Sequence, residues 1–106
     1  MPRFKTTVTV AAELGAHQIR VNGVNPDGVV RGSGIFSSGW GANRAAVYGV
    51  EEEKLGEYYA QRTILKKEVL PDHIAAAVFV LCANELPLTT GLHIPVDGGV
   101  AAAFLR

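Results

Sequence analysis

Disulfides, metal clusters, membrane spans and an excess of either charge are all missing from this sequence. Cys82 is the single cysteine among 106 residues, so neither an internal disulfide nor a cysteine-held zinc can form. His17, His73 and His93 stand far apart, without ligand spacing, so no metal site is expected. Ten basic residues balance ten acidic ones. That balance leaves nothing to attract nucleic acid. No apolar run approaches the roughly 20 residues that cross a bilayer, so no membrane partner is expected either. Arg3 and Lys5 before VTVAA give a faint signal-peptide outline, but Glu13 breaks it. The expected setting is cytoplasmic and reducing, with Cys82 as a small buried hydrophobe.

What is present reads as one small α/β unit. KTTVTVAAELGAH, residues 5–17, suits a helix ending near Gly15, although its Thr/Val run is β-branched. His17 would sit at that helix's end, where a cation is favoured. A strand is expected from Ile19 to Asn25, stopped by Pro26-Asp27-Gly28. The glycine-rich stretch PDGVVRGSGIFSSGWG follows as a long loop. Helices are expected over 42–48 and from Glu51, the latter with three glutamates at its positive end. Leu55, Tyr58, Tyr59 and Arg62 could form one stripe on it. Pro71 and Asp72 then open a strong helix with Ile74, Val78, Leu81 and Cys82 on one face. A second strand spans Leu92 to Val96 and ends at Asp97-Gly98-Gly99.

Strand, helices, strand makes a crossover unit with two parallel strands. Two strands alone leave an open edge, which a free-standing domain rarely tolerates. The expected fold is therefore the C-terminal portion of a Rossmann-like, doubly wound parallel sheet, preceded by a helix. In such sheets ligands sit at the carboxyl ends of strands. The GSGIFSSG glycines, Gly32 to Gly39, lack the third glycine and the helix start of a dinucleotide fingerprint.

Three pieces in order, ELGAHQIRVNGVNP, PDHIAAAVFVLCANE and TTGLHIPVDGG, resemble the rear part of short-chain dehydrogenases/reductases. NPDGVVRGSGIFSSGWGANRAAVYGV, EYYAQRT and the ending VDGGVAAAFLR are also similar to the dehydrogenase half of bifunctional rhamnulose-1-phosphate aldolase/alcohol dehydrogenases. The resemblance implies one incomplete domain over residues 1–106 and NAD- or NADP-linked chemistry on a small lactaldehyde-type alcohol or aldehyde. It implies that Pro26, Asp27, Gly28 and Val29 form the turn facing the nicotinamide. Residues 31–67 would form the variable substrate loop, with Trp40, Asn43, Arg44 and Tyr48 against a small polar substrate and Arg44 gripping an oxygen. The family's catalytic Tyr-x-x-x-Lys would fall before Met1, so no catalytic residue is assigned and the chain alone should neither turn over nor hold a cofactor. A chemistry built on Tyr58, Tyr59 and Arg62 is a remote alternative. A more substantial one is an assembly protein that pairs with itself, as a homo-oligomer, or with a full-length relative.

Overall fold

The computed structural model describes residues 3–101. Helix α1 covers Arg3–Leu14 and relaxes into a 3-10 turn at Gly15–His17. The β-branched run therefore folds as helix, and its end falls where Gly15 predicts. His17 sits exposed in that closing turn.

Strands β1, Gly23–Pro26, and β2, His93–Val96, pair in parallel, with Gly23 opposite His93 and Pro26 opposite Val96. β1 begins four residues later than the sequence suggests because side chains take over most of the earlier pairing, beside one backbone bond from Gly91 N–H to the Val21 carbonyl at 2.8 Å. Val21 N–H donates to Thr90 Oγ1 at 3.1 Å. Asn22 donates Nδ2 to the Thr89 carbonyl at 3.0 Å, and its Oδ1 accepts from Leu92 N–H at 3.0 Å. Leu92 and Val96 turn their carbonyls toward β1, accepting from Gly23 and Asp27. By alternation His93 and Pro95 turn their backbones outward. Pro95 has no N–H to offer, which suits an outer edge. On the other side of β1, Val24 directs its peptide groups away from β2.

Helix α4, Pro71–Cys82, has Pro71 at its first position and Asp72 in its first turn, as expected. Leu70 N–H donates to His73 Nδ1 at 2.9 Å, so His73 fills the place Glu or Gln usually takes at a helix entry. At the far end Arg20 Nη1 donates to the Leu81 carbonyl at 2.8 Å, tying α4 to the approach of β1.

Between β1 and α4 the chain is more helical than its glycines suggest. A wide turn at Phe36–Trp40 runs into α2, Gly41–Tyr48. Gly41 is required there, since an added Cβ would sit 2.4 Å from the Phe36 carbonyl oxygen. A 3-10 turn at Glu52–Lys54 leads into α3, Leu55–Gln61. The segment after α3 is pinned to the exit of β2: Ile64 and Leu65 donate their N–H groups to the Gly99 and Gly98 carbonyls at 2.9 and 3.0 Å.

The buried apolar side chains are few and mostly small: Ala11, Ala45, Leu55, Ala60, Val69 and Leu81. Of the face expected on α4 only Leu81 is buried, while Val78 is 43% exposed. Cys82 is exposed, which corrects its assignment as a core residue. Leu81 takes the inward position and Cys82, one residue on, is rotated away from it. The radius of gyration is 16.3 Å, against about 13 Å for a compact chain of this length. No helix among the described residues is long and apolar enough to cross a membrane. The matched ending Phe104–Arg106 lies outside the described residues.

Candidate functional site

The carboxyl end of β1 opens onto a cleft of about 930 Å³. Pro26, Asp27, Gly28 and Val29 all line it, so the turn singled out from sequence forms the head of the cleft. Gly28 holds φ +68°, a conformation that favours glycine. A Cβ built there would lie 3.7 Å from the Tyr59 side chain. One wall is aromatic, from Phe36, Trp40 and Tyr59; the facing wall is Ile74, Ala75, Val78 and Phe79 of α4. Ile74 and Val78 thus line the cleft rather than fill a core.

The other loop residues separate. Trp40 lines the cleft; Asn43 is exposed on α2 and does not. Arg44 and Tyr48 lie one helical turn apart and join behind Tyr59. Arg44 Nη2 donates to Tyr48 Oη at 2.7 Å, and Tyr48 Oη lies 3.4 Å from Tyr59 Oη. Tyr48 stacks on Tyr58 with centroids 4.5 Å apart, and Phe36 meets Tyr59 edge-on at 5.7 Å. Arg62 lies over Tyr59 at 5.2 Å, three residues away, rather than over Tyr58 as the four-residue spacing suggested. Tyr59 and Phe36 also line the cleft, beyond the residues expected against the substrate. The EYYAQRT match was the available signal for Tyr59.

These contacts split the phenols electrostatically. The hydrogen bond from Arg44, then that with Tyr59, holds the Tyr48 phenol below the usual tyrosine value. Burial, then the bond to Tyr48, pushes Tyr59 above it. Tyr48 is thus the phenol of the pair that gives up its proton first. An alkaline titration followed by tyrosinate absorbance should show one phenol ionising below 10.0, the ordinary tyrosine value, and Tyr48→Phe should remove that early component. A titration with no component below that value would contradict the pairing.

Of the glycines at 32–39, a helical turn does begin at Gly34, correcting the expectation of none. Gly39, at φ +91°, interrupts it, and Ser37 stands where a third fingerprint glycine would fall. Among the described residues no group of three or more His, Cys, Asp or Glu side chains could hold a metal ion.

A family model described as enoyl-(acyl carrier protein) reductase matches residues 4–101. An uncharacterized oxidoreductase of Bacillus subtilis, YuxG, is 47% identical over 97 residues, covering 92% of this chain and 14% of its own length. Human L-xylulose reductase is 33% identical over 93 residues, covering 88% of this chain and 33% of its own. The crystal structure of a short-chain dehydrogenase family protein from Francisella tularensis superposes with a TM-score of 0.77 at 28% identity. That alignment covers 93% of this chain and 40% of the other. The chain thus spans 40% or less of each of these three relatives. The parallel strand pair, the helices around it and a family match over nearly all of its residues lead to one assignment: the chain belongs to the short-chain dehydrogenase/reductase family.

Proposed function

We propose that this chain is the rear portion of an NAD(P)-dependent short-chain oxidoreductase acting on a small alcohol or aldehyde of the lactaldehyde type. The observation that carries the reading is that the Pro26–Val29 turn opens onto an apolar cleft walled by residues of the 31–67 segment. In open α/β sheets such a strand end is where ligands bind. Gly28 gives the turn a surface free of side chain, and the aromatic wall suits the face of a nicotinamide ring. NAD or NADP, when bound, would supply the hydride chemistry. This chain's part would be to orient the nicotinamide end with Pro26, Asp27, Gly28 and Val29 and to exclude water with Phe36, Trp40 and Tyr59. No described residues make the phosphate cradle that a dinucleotide needs, so the reading gives this chain no cofactor of its own.

The matched stretch is 33% of L-xylulose reductase but only 14% of YuxG, so YuxG is more than twice as long. That length leaves room for a second unit, as the likeness to a dehydrogenase joined to an aldolase in rhamnose catabolism requires. A chimera tests the reading. This chain's residues 4–101 replace the matching stretch of human L-xylulose reductase. The expected result is NAD(P)-linked turnover with preference moved from xylulose toward lactaldehyde. A folded chimera that binds NADPH yet reduces no short aldehyde would sink it.

A second reading, an assembly protein that pairs with itself or a full-length relative, is favoured by the outward-facing edge at Val24. Phe79 at 67% and Val78 at 43% exposure on α4 favour it too.

A further inference from the structure

Two guanidinium groups converge on one pair of phenols. Arg44 is held by Tyr48 Oη at 2.7 Å and lies 5.4 Å above Trp40 and 4.9 Å above Tyr48. Arg62 covers Tyr59 from 5.2 Å, and the two phenol oxygens are 3.4 Å apart. No carboxylate joins them. The ion pairs among the described residues are elsewhere, Arg31 with Glu68 and Lys54 with Glu57. Arg44 Nε is buried with no acceptor. In a chain whose charges cancel overall, this cluster is a local excess of positive charge and of donors.

Cation–π contacts hold the guanidiniums in place without neutralising them. A planar guanidinium fork beside phenolic O–H groups matches the oxygens of phosphate or carboxylate better than any neutral group. Tyr59 and Trp40 also line the cleft, so the cluster lies at its aromatic end. We propose that Arg44, Arg62 and the hydroxyls of Tyr48 and Tyr59 form a subsite for a small oxyanion, a phosphate or a carboxylate, adjoining the cleft. The subsite goes beyond the redox reading and does not depend on it, since a lactaldehyde-type substrate carries no charged group.

Trp40 is the sole tryptophan and lies against Arg44, so its fluorescence reports the subsite in the 106-residue chain. Inorganic phosphate and lactate are titrated separately, with sodium chloride at matched ionic strength as the control. A saturable millimolar response to phosphate alone assigns a phosphate end, and one to lactate alone a carboxylate end; either supports the subsite. Arg62→Gln, an exposed position, should weaken binding about fivefold or more, as loss of one charge-assisted contact implies. Arg44→Lys, which keeps the charge but loses the fork, should weaken it as well, with the far-ultraviolet circular dichroism of both unchanged. No response beyond chloride, or equal affinity in wild type and Arg62→Gln, overturns the proposal. A negative result beside an active xylulose reductase chimera removes the subsite alone; a positive one beside an inactive chimera removes the redox reading and leaves the oxyanion site.

Discussion

Leu55→Ala is expected to destabilise the chain by about 3–5 kcal/mol, the range for truncating a well-packed buried leucine. Leu55 is 1% exposed and, among the described residues, the only large side chain buried below 2%. Ala11, Ala45 and Ala60 make up half of the buried apolar set and each removes little area from water. Meanwhile Phe79, Leu65 and Leu88 remain 67%, 68% and 97% exposed. A chain of this size has about 5–15 kcal/mol of stability in total when well packed, so one leucine here is a large fraction of it. Urea unfolding followed by circular dichroism should move the midpoint down by about 1 M or more at ordinary slopes. A shift under about 0.3 M would mean that Leu55 is not the centre of the core.

The 106-residue chain mixed with NAD and a short alcohol is expected to form NADH no faster than buffer does. A positioned acid or base contributes about 10²–10⁴ in rate, and the phenol at the cleft is poorly suited to that work. Tyr59 is the phenol that lines it, and its hydroxyl already meets Tyr48 at 3.4 Å. Burial also holds its proton more tightly than in an ordinary tyrosine. Tyr58 is stacked on Tyr48 and does not line the cleft. Steady NADH production that disappears in Tyr59→Phe would overturn this and make the three-residue Tyr58, Tyr59, Arg62 chemistry the better account.

Much of the architecture was legible from local signals. Pro71 fixes the start of α4 because its ring sets a helical φ and it needs no N–H at that position. The two valine-containing runs that end at Asp27-Gly28 and Asp97-Gly98 gave both strands, since turn residues mark strand ends more sharply than apolar residues mark their beginnings. The early residues of the first run were read as strand because Val21 and Asn22 look extended. Asn22 and Thr90 instead make the cross-links with their side chains, and no periodicity distinguishes that from a ladder.

The candidate site was legible only in parts. Arg44 and Tyr48 were both selected, and their four-residue spacing brings them together as helix neighbours. Asn43 is expected against the substrate from its place in the 31–67 segment; one position earlier on the same helix than Arg44, it is exposed and does not line the cleft. Ile74 and Val78 carried a helical apolar stripe, which shows that a face is sheltered but not whether protein or an open cleft shelters it.

By itself the sequence determined the order of the elements, the parallel sense of the strand pair and the family, because each follows from short-range steric preferences or from motifs in order. Only the tertiary structure decided that Arg62 covers Tyr59 and that Cys82 faces solvent. It also decided that one phenol ties the helix pair to the turn at Gly28. Helical spacing gives Arg62 both tyrosines as neighbours. The choice between them involves groups distant along the chain: Tyr48 stacks on the Tyr58 ring at 4.5 Å, and Arg62 covers the Tyr59 ring instead.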